Sequence, residues 1–316
     1  MPFRAVFLAL VIGFALVVSA FLVNSKRPVS DTGGKGAAFT RASGKCSECH
    51  SKLQYSVVHE FELSAHARRG LTCLDCHQPA ENQRKIEHHG FVLSEKLTAG
   101  NCRGCHEGIY QEFLRSGHAA VSWAAIYGEK GLSVEQVTFA EQYQPGRAKR
   151  QPHPFVSLEG PDAMKSGCEQ CHSIGRPNAD GTIGACTACH TRHTSSVAIA
   201  RLPTTCGQCH MGPDHSQIEI YEESKHGVIF AAQERSLNLD APSSKLTTRD
   251  MFVPTCATCH MSGLNGLKQT HNPSERLSQY LADPITDQRP NAAAGKANMQ
   301  AICGQCHARS TIDRVY

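Results

Sequence analysis

Residues 168–190, CEQCHSIGRPNADGTIGACTACH, contain the pentapeptide Cys-x-x-Cys-His twice. The pentapeptide occurs eight times in the 316-residue chain, and together the copies use all sixteen cysteines. The eight motifs are Cys46/Cys49/His50, Cys73/Cys76/His77, Cys102/Cys105/His106, Cys168/Cys171/His172, Cys186/Cys189/His190, Cys206/Cys209/His210, Cys256/Cys259/His260 and Cys303/Cys306/His307. Because no cysteine is left over, the chemistry of this motif decides the fold.

The motif is the attachment signal for c-type haem, in which two thiols form thioethers and the adjacent histidine becomes the proximal iron ligand. Zinc ribbons and disulfide frameworks are the alternatives, but neither requires a histidine after every second cysteine. We therefore predict eight covalently attached haems. Aromatic residues make up only 6% of the chain, so the porphyrins are expected to form much of the apolar interior.

The N-terminus predicts export. Residues 1–4 are a short positive start, and in residues 5–23 Ser19 is the one polar side chain. This segment, 1–23, has the length of a membrane anchor and also resembles a signal peptide. Residues 24–45 are interpreted as a flexible linker and 46–316 as the octahaem domain. The expected location is periplasmic or extracytoplasmic, with anchoring to the inner membrane through residues 5–23.

The rest of the chain predicts helices and loops. The motifs are too unevenly spaced for a repeat protein, and strand alternation is scarce, so the expected fold is a mainly α, loop-rich multihaem cytochrome c with little β structure. Helix-compatible composition covers Gly108–Tyr127, Gln217–Arg235 and Pro273–Leu281. Glu129–Pro161 is interpreted as a surface loop. The net charge of +4 gives no indication of nucleic-acid binding.

The remaining histidines are candidates for the second axial position on iron. Subtracting the eight motif histidines from the total of eighteen leaves His59, His66, His88, His89, His118, His153, His193, His215, His226 and His271. His66, His118 and His226 share a Ser-x-His frame and are the strongest candidates, followed by His193 and His271. Ten histidines are enough to fill eight irons, so counting leaves open an electron carrier in which every haem is six-coordinate.

Several further segments resemble the octahaem hydroxylamine oxidoreductase family. They are His88-His89-Gly90, the run from Gly167 to Cys171, CTACHTRH at 186–193, Gly212-Pro213-Asp214-His215, YEESKHG at 221–227 and CATCHMSG at 256–263. Their order is that of the family, and the resemblance covers about residues 45–312. Octahaem nitrite and tetrathionate reductases share the haem number but are less similar.

The resemblance implies seven haems with two histidine ligands and a catalytic fourth haem, attached here at Cys168, Cys171 and His172. It also implies that Asp214 and His215 project into the open side of that haem, where they handle protons. Once His215 and the isolated His153 are set aside, the distal candidates are His59, His66, His88, His89, His118, His193, His226 and His271, one more than seven irons need. We expect one of the adjacent His88 and His89 to be spare.

The family's hydroxylamine-oxidising members continue beyond the eighth haem into a helical region with a crosslinking tyrosine and trimer contacts, whereas this sequence ends at Tyr316. Two expectations follow: either the sequence is a fragment, or it is a short member with an unmodified catalytic haem, which would favour the reduction of nitrite or hydroxylamine. A homotrimer is doubtful without that region. The expected partners are a small nitrogen compound and a redox protein, either a cytochrome c or a quinone-linked membrane protein. The alternative function is a non-catalytic octahaem electron carrier.

Overall fold

The computed structural model describes residues 39–213, 215–277 and 291–316. The chain divides after Phe39, and every element named below belongs to Thr40–Tyr316. Short helices and loops dominate the described residues, and the strands there form a single two-stranded sheet. The prediction of a mainly helical, loop-rich fold with little β structure is confirmed.

The first part of the chain contains α1 Lys45–Leu53, α2 Tyr55–Glu62, α3 Ala65–Arg68, α4 Cys73–His77, β1 Lys85–His88, β2 Phe91–Ser94, α5 Ala99–Leu114, α6 Ala120–Tyr127 and α7 Val134–Tyr143. The middle contains α8 Phe155–Leu158, α9 Gly160–Ser166, α10 Glu169–His172, α11 Val197–Arg201, α12 Pro203–Gly207, α13 Gln217–Glu223 and α14 Lys225–Gln233. The last helices are α15 Cys256–His260, α16 Ala292–Cys303 and α17 Arg309–Val315. Single 3-10 turns lie at Ser173–Gly175, Cys186–Ala188, Glu234–Ser236, Ser243–Lys245, Leu264–Gly266 and Pro273–Arg276.

Threonine caps begin several of the helices that carry motifs. The Thr72 backbone N–H donates to the Asp75 carboxylate at 2.6 Å, and the Thr72 hydroxyl donates to the same oxygen at 2.8 Å. Thr98 and Thr255 begin α5 and α15 with similar capping boxes. Such caps satisfy N–H groups that the first turn leaves unpaired, so they allow a helix of only five residues to form at the motif.

The strands β1 and β2 make a tight antiparallel hairpin. His88 pairs with Phe91, which leaves His89 and Gly90 as the two turn residues. Both have positive φ, 51° at His89 and 83° at Gly90, as a two-residue hairpin of the primed type requires. The hairpin therefore gives the two adjacent histidines different backbone conformations, extended at His88 and left-handed at His89.

Apolar burial is divided among small clusters. One lies along α6 and includes Ala119, Ala120 and Val121 with Val137 and Ile183. Another joins Leu246, Met251 and Leu264. A third joins Ile126, Tyr127 and Met164, with Cys168 packed against them. Because alanine contributes little area, these side chains bury only a modest apolar surface for a chain of this length.

The interpretation of Glu129–Pro161 as a surface loop is wrong for much of its length. Helix α7 occupies Val134–Tyr143 and begins with a Ser133 capping box. Its buried side chains, Val137 and Ala140, pack against α6. The segment Gly108–Tyr127 is helical in α5 and α6, and Gln217–Arg235 in α13 and α14. Of Pro273–Leu281, the described part begins with a 3-10 turn and is not an α-helix.

A network of polar side chains joins the second and third motifs to the loop after the fourth. The Asp180 carboxylate accepts hydrogen bonds from Thr98, from Gln83 at 3.0 Å and from the Thr182 hydroxyl at 2.6 Å. Asn101 donates to the carbonyl of Cys76 at 3.0 Å. Burial alone would raise the pKa of Asp180, but these hydrogen bonds outweigh it and lower the pKa below its ordinary value.

A second polar anchor is the guanidinium of Arg201, which is only 6% exposed. It donates to the carbonyls of Leu239 and Ala241, each at 2.7 Å, and to the Ser243 hydroxyl at 3.2 Å. It therefore fixes the loop that covers the cluster around Leu246.

None of the helices in the described ranges is both long and apolar enough to cross a membrane. The predicted signal or anchor, residues 1–23, lies outside the described residues, as does the linker up to residue 38.

Candidate haem centres

Each motif folds as about one helical turn. In the fourth, fifth, sixth and eighth motifs the backbone N–H of the histidine donates to the carbonyl of the first cysteine, at 2.9 to 3.0 Å. Residues three and four positions apart lie on one face of such a turn. The turn therefore presents both thiols and the imidazole in the same direction, as attachment to one porphyrin requires.

The motifs are neighbours in space. All sixteen cysteines are in the described part of the chain, and all are free thiols. Thiols of different motifs lie close enough to shift one another's pKa: Cys186 raises the pKa of Cys102, Cys256 raises that of Cys206, and burial and then Cys171 raise that of Cys209. These contacts join the third motif to the fifth, the sixth to the seventh and the fourth to the sixth. The thiols of Cys46 and Cys73 join the first motif to the second in the same way.

Four of the predicted attachment cysteines are exposed, namely Cys49, Cys105, Cys186 and Cys306, whereas the other twelve are partly buried. The prediction that the porphyrins form much of the apolar interior does not require these four thiols to be buried by the protein's own side chains. At Cys105 the helical turn of the motif lies at the surface, with exposed neighbours on either side, whereas Cys49 lies between the exposed Glu48 and the half-buried His50. A thioether requires a vinyl group within reach of the sulfur and no side chains packed over it, so haem attachment at these cysteines stays a prediction.

Imidazole rings face motif imidazoles across a nearly constant gap. Two iron–nitrogen bonds of about 2 Å, plus the distance from each nitrogen to its ring centre, place two axial imidazoles about 6 Å apart. The observed separations between ring centres are 6.0 Å for His50 and His88, 6.2 Å for His106 and His66, 6.4 Å for His190 and His271, 5.9 Å for His307 and His226, and 5.9 Å for His210 and His118. Each gap is the right size for one iron.

Two further motif histidines have imidazoles close enough to affect their pKa. Burial, and then the nearby His193, lowers the pKa of His77. The pKa of His260 is lowered to about 4, first by burial and then by His210. His193 has a positive φ of 63° and lies 3.6 Å from the Glu60 carboxylate through its Nδ1 atom.

The sixth motif is surrounded by more than one imidazole. His118 lies 5.9 Å from His210, and His215 lies 6.3 Å from the same ring. The pKa of His118 is lowered to about 4 by burial, then by His210 and by His260. His118 is thus near two motif histidines, and His215, which the resemblance assigns to the fourth haem, lies beside the sixth.

The fourth motif differs from these. Within the described ranges, which contain all eighteen histidines, His172 has no ring contact with another imidazole. His77 and His260 also have no such contact, but His193 and His210 lie close enough to lower their pKa. The Nδ1 atom of His172 lies 2.8 Å from the carbonyl oxygen of Ser122, on α6. A carbonyl can only accept, so Nδ1 carries the proton and Nε2 is left to bind a metal.

The structure gives different surroundings to the other predicted residues. His59 stacks on Tyr55 with 5.4 Å between ring centres. His89 contacts His88 at 4.6 Å, and His153, which was set aside as a ligand, packs edge-on against Phe155 at 4.7 Å. Asp214 lies outside the described residues.

Sequence reasoning missed residues that orient the ligands. The Glu112 carboxylate accepts from the backbone N–H of His271 at 2.9 Å and lies 3.9 Å from its Nδ1 atom. At 3.9 Å the carboxylate is beyond hydrogen-bond distance of Nδ1, so Glu112 fixes the backbone at His271, whereas the Ser122 carbonyl, 2.8 Å from Nδ1 of His172, orients the ring itself. Ser122 acts through its backbone carbonyl, for which the sequence contains no signal.

These observations together test whether the residues fit haem. Free thiol pairs share a face with their histidine, facing imidazoles leave a gap of iron size, and His172 has a fixed tautomer. A cavity of about 390 Å³ adjoins His307 between α16 and α17. The donor set is that of covalently attached, histidine-ligated haem.

Comparison with known proteins supports this interpretation. Residues 69–316 match the family described as "Seven times multi-haem cytochrome CxxCH", and that range contains the second to eighth motifs. A curated relative, a probable nitrite reductase–hydroxylamine oxidoreductase fusion protein of Kuenenia stuttgartiensis, is 30% identical over 234 residues. The alignment covers 69% of this chain and only 25% of that relative.

Two solved structures share the fold. A hypothetical multihaem protein superposes with a TM-score of 0.67 at 21% identity, covering 88% of this chain and 78% of its own. The reducing hydroxylamine oxidoreductase-like complex of Kuenenia stuttgartiensis contains a chain with a TM-score of 0.55 at 23% identity, covering 85% of this chain and 56% of its own. The resemblance to hydroxylamine oxidoreductase-like proteins is confirmed, and the chain belongs to the multihaem CxxCH cytochrome family.

Proposed function

We propose that this protein is an extracytoplasmic oxidoreductase that carries eight covalent haems and acts on hydroxylamine or nitrite at the fourth motif. The haems attached at the other seven motifs carry electrons to or from a redox protein, either a cytochrome c or a quinone-linked membrane protein. The observation that carries the proposal is that His172 has no imidazole ring contact among the described residues, whereas five other motif histidines are paired ring to ring and the remaining two, His77 and His260, have His193 and His210 nearby.

The residues around His172 suit an open iron. A haem bound there supplies an iron that takes up a small nitrogen compound and exchanges electrons with it. The Ser122 carbonyl, 2.8 Å from Nδ1 of His172, holds the proximal ring in one tautomer and one orientation. The Ser122 hydroxyl also donates to the His172 carbonyl at 3.3 Å, so α6 supports the ligand at two points.

Reduction of nitrite or hydroxylamine consumes protons as well as electrons. We assign proton delivery to Asp214 and His215, because a carboxylate and an imidazole exchange protons near neutral pH when suitably placed. The electrons leave or arrive through the sixth motif, whose Cys209 thiol interacts with Cys171 of the fourth. The similarity to a probable nitrite reductase–hydroxylamine oxidoreductase fusion protein and to a reducing hydroxylamine oxidoreductase-like complex supports the substrate class and the reductive direction.

The spin states of the purified, oxidised holoprotein test the proposal. We expect low-temperature electron paramagnetic resonance to detect about one high-spin haem among eight, and nitrite or hydroxylamine to change that signal. If all eight haems are low-spin and neither compound changes the spectrum, the proposed enzymatic activity is refuted and the alternative function, an electron carrier, is supported. Turnover with reduced dye and nitrite, compared with oxidised dye and hydroxylamine, measures the preferred direction.

A variant separates the two roles open to His215, which lies 6.3 Å from His210. If His215 delivers protons, His215→Ala keeps the haem spin states and lowers turnover about 10²- to 10⁴-fold. A second high-spin haem in this variant would instead show that His215 is an axial ligand of the sixth haem. His153→Ala is the matched control, because His153 contacts Phe155 and is not in the ligand set.

A further inference from the structure

A partly buried ion pair lies inside the fourth attachment site. Glu169 is the first residue of α10, between Cys168 and Cys171, and Arg176 follows His172 by one short turn. The Arg176 guanidinium forms a salt bridge with one Glu169 oxygen. The Glu169 side chain is 14% exposed and that of Arg176 40% exposed, so the carboxylate is the more shielded partner.

Aromatic residues of α6 complete this ion pair. The Tyr127 hydroxyl donates to the other Glu169 oxygen at 2.6 Å. The Arg176 guanidinium lies over the Trp123 ring, 5.4 Å from its centre, and Trp123 contacts Tyr127 at 4.5 Å. One carboxylate oxygen, through Tyr127, and the guanidinium, through Trp123, therefore have partners on the helix that also holds His172 through Ser122, while the second carboxylate oxygen is paired with Arg176.

The other motifs with an acidic residue are built differently. Glu48, in the first motif, is exposed. Asp75, in the second, receives its hydrogen bonds from Thr72 and caps its own helix. Within the described residues, an acidic side chain between two motif cysteines forms a salt bridge with an arginine only at the fourth motif.

We propose that the Glu169–Arg176 pair, held by Tyr127 and Trp123, is an electrostatic clamp that sets the reduction potential of the fourth haem. A charge in a shielded site acts strongly on a neighbouring redox centre, because little water screens it. A negative charge favours ferric iron and a positive charge favours ferrous iron. The paired charges largely cancel, so losing either one displaces the potential, and the two losses act in opposite directions.

The inference requires a haem at Cys168 and Cys171, but it does not require substrate turnover or an open iron. Its readout is an optical redox titration of the full-length holoprotein, in which each haem contributes about one eighth of the absorbance change. The spin-state measurement described above tests the proposed function separately, so either can fail while the other holds.

We expect Glu169→Gln to raise the potential of one component, because Arg176 loses its counter-charge while Gln still accepts from Tyr127. Arg176→Gln should lower the potential of the same component, and the double variant should return it close to the wild-type value. Glu48→Gln is the matched control, because it removes a charge from an exposed position in another motif. It should leave the potential of the component assigned to the fourth haem unchanged.

Haem content, measured for every variant, shows whether attachment survives. Shifts of the same sign in the two single variants, or no shift in a fully loaded Glu169→Gln protein, would overturn the clamp. If Glu169→Gln fails to retain its haems, the reduction potentials of Arg176→Gln and of the double variant still test the proposal. A double variant displaced as far as Arg176→Gln alone would overturn the proposal.

Discussion

The adjacent histidines of the hairpin β1–β2 allow a test of the proposed axial ligands, because only one of the two faces a motif histidine. His88 faces His50 across 6.0 Å, whereas His89 occupies the turn and contacts His88 at 4.6 Å. If His88 is the distal ligand of the first haem, replacing it removes one of two axial nitrogens, and replacing His89 removes none. We therefore expect His88→Asn to change the first haem and His89→Asn to leave it six-coordinate.

The size of the effect follows from the ligand count. Loss of one strong axial ligand converts one haem to high spin, so His88→Asn should add about one high-spin haem per protein. With one open haem already present, the integrated high-spin signal would rise about twofold. His89→Asn should leave the signal at the wild-type level.

Asparagine is the suitable replacement at both positions. His89 has a positive φ of 51°, and asparagine is one of the few residues that adopts this region readily. The hairpin should therefore survive in His89→Asn, and haem content and circular dichroism check both proteins. A new high-spin haem in His89→Asn, or none in a fully loaded His88→Asn protein, would refute the assignment.

Two further predictions concern stability. Arg201→Met leaves the carbonyls of Leu239 and Ala241 without their donor, at about 1–3 kcal/mol for each. Denaturant titration should therefore show a loss of about 2–6 kcal/mol, and an equal loss in the exposed Arg249→Met would contradict this origin. The pKa of Asp180 is lowered in the folded state, so its stabilising contribution is complete above about pH 4, the ordinary aspartate pKa, and is lost as the pH falls through the lowered pKa. Unfolding midpoints measured against pH should be lower for Asp180→Asn than for wild type above pH 4 and should converge below it, whereas parallel curves would refute the assignment.

The sequence predicts the local part of the site well, because the motif contains its own geometry. Two thiols and an imidazole within five residues lie on one helical face whatever surrounds them, as the turn at Cys168–His172 shows. Counting histidines gives ten candidates for the distal position, and the family resemblance reduces them to eight. The sequence could not separate His88 from His89, because their different roles depend on which of the two enters the hairpin turn.

Ligand pairing is a long-range property and follows no fixed spacing. His66 precedes its partner His106 in the chain, whereas His271 follows His190, and both gaps are close to 6 Å. Supporting residues are still harder to find. Glu169 is visible in the sequence as an acid inside a motif, but only the fold brings it to Tyr127 on α6.

The same pairings explain how a chain with such small apolar clusters can hold one structure. An iron that binds two histidines would crosslink segments that are distant in sequence, as we propose for α14 at His226 and the eighth motif at His307, whose rings lie 5.9 Å apart. A crosslink of this kind restricts the unfolded chain, and its effect grows with the length of the loop that it closes. With alanine prominent in the cluster along α6, hydrophobic burial by side chains is modest. Haem attachment and axial ligation therefore belong to the folding free energy of this protein as well as to its redox chemistry.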